Sequence, residues 1–301
     1  MSMMIRKMKH DTDAARSSPS DLVGLDHIMQ DRNLDGHSTS IRQFDAFAES
    51  IAETLALMMQ KEQTTYKSCD YLTDAPSVTI ADRTKIVDWC YSVIDQCEFQ
   101  RETVAIAIGM VDRFLSKPSE LSLRVLSSRF QFQLLAMTAL YLSIKTYERN
   151  MLSIEFFTTI SCDQYSANEI ESMELSLLEG LSWHITPPTC VQMAHHILSL
   201  VSKLVTIRQT VWAAVLDEVA FQVEHAVRDY YFVTERPSTV AMAAIFNAIE
   251  KIGVQYRQEI LNALVAVMND EFDSPENVIA SKDRLYCLVK EEIGNAQSPR
   301  I

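Results

Sequence analysis

The chain has 301 residues, 48% hydrophobic and 22% charged, a globular composition long enough for about two domains. Forty acids against 27 bases give a net charge of −13, which repels nucleic acid and anionic membranes as a whole, and no local basic patch offsets it. The six glycines, at 24, 36, 109, 180, 253 and 294, form no phosphate-cradling loop and so exclude a nucleotide-binding α/β enzyme.

Six cysteines, at 69, 90, 97, 162, 190 and 287, are dispersed without metal-ligand spacing. They read as reduced thiols of an intracellular protein. The start MSMMIRKMKH has no apolar segment followed by a cleavage site. A nuclear or cytoplasmic location is therefore expected, with neither cofactor nor metal.

Residues 1–39 lack periodicity and read as a flexible tail, with at most a short turn over Leu22–Met29. Ser18-Pro19 is a candidate proline-directed phosphorylation site. Order is expected from Ser40, a potential N-cap with Gln43 three residues on. Phe44, Ala48, Ile51, Leu55 and Met58 give a first helix, to about Gln60, one apolar face, expected to pack across the helices that immediately follow.

Five helical segments come next: Ile80–Cys97, Arg101–Ser116 (stopped by Lys117-Pro118), Arg129–Glu148, Ile154–Ile160 and Ser166–Gly180. The third is apolar on every side from Leu134 to Ile144, too short for a bilayer, which needs roughly 20 residues. Such a helix belongs at the centre of a domain. The run from Trp183 to Pro188 then breaks the chain.

The second half repeats the plan, with helices expected at Thr189–Val201, Ile207–Phe232, Ser238–Ile252 opened by Pro237, Tyr256–Asn269 and Asn277–Glu292. Its third member is again greasy, about 105 residues after the first such helix, as an internal duplication would give. The expectation is an all-α protein of two tandem five-helix domains preceded by an N-terminal helix. The boundaries fall at 40–185 for that helix and the first set, 186–294 for the second, and 295–301 for a tail.

Several charges fall inside the apolar stripes. Glu174 lies four residues after Ile170 and four before Leu178; Asp112 lies within the face of Val104, Ile108, Val111 and Leu115. Arg83 precedes the stripe of Ile86, Val87, Cys90 and Ile94. A buried lone charge costs several kcal/mol by order of magnitude, so pairs are expected. The economical pairs are Arg83 with Asp112, joining the first two helices, and Lys145 with Glu174, joining the third and fifth. The second pair is open between scaffold and exposed docking point. Lys145 also suits a helix C-terminus on its own. His195-His196 has no third ligand at helical spacing and reads as an ordinary helix face. Ser274-Pro275 and Ser298-Pro299 fit loop turns.

The chain resembles the cyclin family. The motifs are Arg83…Val87-Asp88-Trp89, then Val111-Asp112-Arg113-Phe114-Leu115-Ser116, then Leu134-Leu135…Lys145-Thr146-Tyr147-Glu148. Met173-Glu174…Leu178…Leu181-Ser182-Trp183 and Pro188-Thr189 complete the order and spacing of a cyclin box over about residues 40–200. The resemblance implies two cyclin folds and a regulatory subunit of a cyclin-dependent Ser/Thr kinase. It implies that Lys145 and Glu174, with Glu148 and Leu178 beside them, contact the kinase's C-helix, and that Arg83–Asp112 is a buried ion pair. It further implies a substrate-docking groove at Ile86, Trp89 and Gln133, altered here by Asp82 and Lys85 in place of apolar residues. Tyr147 also stands at a usually acidic position. The alternative is a cyclin-fold transcription factor binding nucleic acid or polymerase, against which the acidity and the missing zinc ribbon count.

Overall fold

A computed structural model describes residues 37–268 and 272–297, with side chains at 47–268 and 272–292. The Ser18-Pro19 and Ser298-Pro299 sites, the Leu22–Met29 turn and the side chain of Phe44 lie outside these residues. Among the described residues there are twelve α-helices and no strand: α1 His37–Gln63, α2 Ile80–Cys97, α3 Glu102–Leu115, α4 Glu120–Leu126, α5 Arg129–Tyr147, α6 Ile154–Ile160, α7 Ala167–Gly180, α8 Cys190–Leu204, α9 Gln209–Arg228, α10 Pro237–Lys251, α11 Val254–Val267 and α12 Pro275–Gln297. None is long and apolar enough to cross a membrane.

Local chemistry sets most of these bounds. Thr79 and Asp82 form a reciprocal capping box at the start of α2, and Ser166 with Glu169 does the same for α7. Ser128, Ser153 and Thr189 cap α5, α6 and α8 through their hydroxyls. Helix α1 begins at His37, so Ser40 lies inside it rather than at its cap.

The buried side chains form two cores. In the first, α5 is the axis: Leu134, Leu135, Ala136, Ala139, Leu140 and Ile144 are all buried, against α2, α3, α4, α6 and α7. In the second, α10 has that place, with Val240 to Ile245, Ala248 and Ile249 buried against α8, α9, α11 and α12.

Helix α1 departs from expectation. Its inward residues Leu55 and Met59 belong to the second core, packed on α8, and not to the helices that follow it in sequence. A buried carboxylate fixes the choice. Glu62, 2% exposed, accepts from the Ser238 backbone N–H at 2.9 Å and pairs with Arg236 at 2.8 Å, closing the N-terminus of α10.

Two further differences matter for the site. Short α4, capped by Ser119 and Ser122, follows Pro118 where no helix was expected. The second helix of the second half stops at Arg228. Asp229 takes an extended conformation, its carboxylate accepts the Tyr231 N–H, and a 3-10 turn runs from Tyr230 to Val233.

Candidate partner-docking face and the junction behind it

Lys145, in the last turn of α5, donates to Glu174 of α7 at 2.8 Å. The ammonium lies 5.3 Å from the centre of the Tyr141 ring, an added cation–π contact on its own helix. Its side chain is 40% exposed and that of Glu174 14%, so the pair sits at the surface with the carboxylate half sunk. The hydrogen bond to Glu174 raises the lysine's pKa against a smaller opposing effect of desolvation. Both ends keep hydrogen-bonding capacity beyond this one contact, since an ammonium carries three donors and a carboxylate about four acceptor sites.

The residues around this pair divide differently from the sequence expectation. Leu177, Leu178 and Leu181 are buried in the first core, so none of them offers an apolar contact. Leu175, next to Glu174, is instead 52% exposed. Glu148 is half-buried and turned inward: it accepts from the Gln100 N–H at 3.0 Å and the Thr103 hydroxyl at 2.5 Å, closing the start of α3. A carboxylate there ties the chain entering α3 to its first turn and complements the helix dipole, which turns it away from the docking face.

Arg83 and Asp112 meet in a two-pronged pair, Nε to Oδ1 at 3.0 Å and Nη2 to Oδ2 at 2.7 Å, with both side chains buried. Tyr71 donates to the same carboxylate at 2.6 Å, and burial, then the charge of Asp112, pushes its phenol well above the usual range. Burial works against the charged guanidinium of Arg83, but Asp112 outweighs it and the net shift is upward. The remaining Nη1 donates to the carbonyl of Val227 at 2.9 Å, a carbonyl in the last turn of α9. The early stop of α9 is what leaves that group without a helical partner.

Tyr230, in the 3-10 turn, completes the junction. Its hydroxyl accepts the N–H groups of Tyr71 and Leu72 at 2.8 and 2.9 Å and donates to Asp70 at 2.7 Å. Nearby, Arg228 pairs with Asp88 and Arg101 with Glu224, and both guanidinium groups stack on the Tyr91 ring. Glu62, Tyr230 and Arg228 escaped the sequence reading. Only Glu62 left a signal, since it continues the α1 stripe of Leu55 and Met59 as a charge among apolar positions.

At the candidate substrate groove, Ile86 and Trp89 of α2 are half-buried against the first core, Gln133 of α5 is half-buried, and Lys85 is exposed. Asp82 is already engaged. It accepts from Thr79 in the capping box and pairs with Arg129 at 3.1 Å, so its charge is neutralised within the chain.

Residues 53–186 match the family profile described as cyclin, N-terminal domain. The chain is 25% identical over 210 residues to G2/mitotic-specific cyclin-B3 of Homo sapiens, a match covering 69% of this chain and 14% of that protein. It is 27% identical over 205 residues to G2/mitotic-specific cyclin-B of Hydra viridissima, covering 68% and 48% respectively. It is 28% identical over 204 residues to S-phase entry cyclin-5 of Saccharomyces cerevisiae, covering 67% and 43%. The match thus spans half or less of each of these relatives. Among solved structures, a viral cyclin from herpesvirus saimiri superposes with a TM-score of 0.57 at 15% identity, over 79% of this chain and 97% of that one, a likeness of fold. These matches place a cyclin N-terminal domain at residues 53–186, in a chain whose fold is like that of the viral cyclin.

Proposed function

We propose that this chain is a cyclin, a non-catalytic subunit that activates a cyclin-dependent Ser/Thr kinase and thereby controls cell-cycle progression. It docks on the kinase's C-helix, with Lys145 and Glu174 at the centre of the contact. The observation that carries the reading is the pair itself: two opposite charges bridging two helices of a rigid core, yet left at the surface. Leu175 supplies an apolar neighbour. An active kinase needs its C-helix glutamate paired with a lysine of its third strand. A rigid surface that binds the C-helix only in its inward position favours the active state through its differential affinity.

The reading treats residues 40–185 and 186–294 as the two cyclin folds, with the helix of residues 40–60 serving the second core. Ile86, Trp89 and Gln133 are retained as the substrate groove, with Lys85 disfavouring basic docking peptides. Nothing in the charge of the chain favours a nucleic-acid partner.

The test is co-purification. Lys145→Ala combined with Glu174→Ala should abolish recovery of a Ser/Thr kinase while the far-ultraviolet circular dichroism stays helical. A double variant that still recovers the kinase at the wild-type level would sink the assignment.

A further inference from the structure

Arg113, near the end of α3, is 4% exposed, and its Nε and Nη2 are enclosed without any hydrogen-bond partner. The groups that act on its charge are two tyrosines. Tyr66 lies beneath the guanidinium at 4.6 Å, and Tyr147 is within electrostatic reach. The ring of His184 packs edge-on to Tyr66 at 6.3 Å, and the Tyr147 hydroxyl donates to the carbonyl of Ile185 at 3.3 Å. Asp112, its sequence neighbour, is taken by Arg83 and Tyr71.

A buried cation needs a counter-ion, and a ring face offsets only part of its desolvation. Burial lowers the pKa of Arg113 to about 10, which leaves it charged at neutral pH. Tyr66 is half-buried between exposed Thr65 and Lys67, so the guanidinium lies one movable side chain from solvent. The Tyr66 phenol can donate to an oxygen acceptor, while the Tyr147 hydroxyl and His184 Nδ1 must first exchange their contacts with the carbonyls of Ile185 and Leu181. Among the described residues, the one carboxylate that reaches Tyr147, Glu102, accepts from the Thr189 hydroxyl and does not act on Arg113.

We infer that Arg113 anchors an oxyanion site, taking a carboxylate or phosphate where Tyr66, Tyr147 and His184 converge. The inference does not depend on the kinase-docking role of Lys145 and Glu174. The anion replaces the ion pair that the fold omits at Tyr147, and binding requires Tyr66 to swing off the guanidinium.

The experiment follows the melting temperature of the full chain against sodium phosphate and, separately, sodium acetate, with sodium chloride keeping ionic strength constant. Wild type should show a saturable rise of a few degrees. A response to phosphate alone assigns a phosphorylated group; a response to both admits Asp or Glu side chains. Arg113→Met should fold, since an apolar residue suits that burial, and should lose the response. Tyr147→Glu supplies the carboxylate internally. It should melt higher than wild type and no longer respond, and the gain should vanish in the Arg113→Met background. A wild-type chain with no saturable rise, or a rise that persists in Arg113→Met, would overturn the site. So would a Tyr147→Glu variant that responds as wild type does.

Discussion

Arg83 reaches past its partner Asp112 to the carbonyl of Val227, 144 positions further along the chain, at 2.9 Å. One guanidinium thus serves two contacts, an ion pair within the first core and a helix end from the second half. Replacing Arg83 with Met removes both and strands the Asp112 carboxylate with a single donor, Tyr71. The expected loss is about 3–5 kcal/mol of unfolding free energy, read by urea denaturation. Changing Asp112 to Leu in the same chain should recover part of it, since no charge then remains buried.

Glu62 is the second buried charge whose removal should be felt far away. Glu62→Ala removes one ion-pair contact of Arg236 and the buried acceptor of the Ser238 N–H and hydroxyl at the start of α10, which should cost about 3–5 kcal/mol. Hydrogen exchange should locate the loosening in α10 and α8. Faster exchange confined to α2 and α3 would contradict the seating of α1 on the second core.

Glu148 should behave as a cap. Glu148→Ala should lower stability by about 0.5–2 kcal/mol, the range for loss of a helix-capping acceptor, because Gln100 and Thr103 lose it. Kinase recovery should fall no further than that loss explains. A variant as stable as wild type would return Glu148 to the surface.

Asp70 gives the junction an acid limit. Hydrogen bonds from Thr73 and then Tyr230 lower its pKa from 3.8 to about 2. A depressed carboxylate contributes stability that is complete above the unfolded value and fades as pH falls through the folded one. The contribution therefore declines between about pH 4 and pH 2. Because the group is exposed, the effect is small and screened by salt. Asp70→Asn should flatten that limb of a stability profile and change little at pH 7.

Where a residue's role depends on its own helix, the sequence was sufficient. Helices α2 and α6 carry the predicted bounds because Thr79 and Ser153 cap them with hydroxyls readable one residue ahead. Arg83, Asp112 and Glu174 were visible as charges within apolar stripes, a pattern that requires partners. What failed depends on distance or on a misread stop. Helix α4 begins directly after Lys117-Pro118, which reads as a stop, with Ser119 capping the new helix. Tyr230 works through Asp70, Tyr71 and Leu72, about 160 positions away, and nothing in its neighbours announces that. Leu178 is buried as its place in the α7 stripe requires, whereas the family resemblance implies a kinase contact for it.

The seating of α1 has a consequence for how the protein can be cut. The first helix of the chain fills part of the last core, so the polypeptide closes on itself like a buckle. A fragment beginning after Gln63 keeps every residue of the second repeat but leaves α8 bare where Leu55 and Met59 lay, with the Ser238 N–H deprived of its acceptor Glu62. A fragment ending near Trp183 carries α1 with its apolar face uncovered. Neither piece is a self-sufficient unit, and the two pieces made by a single cut near Trp183 should recombine when mixed, each bringing the surface that the other lacks.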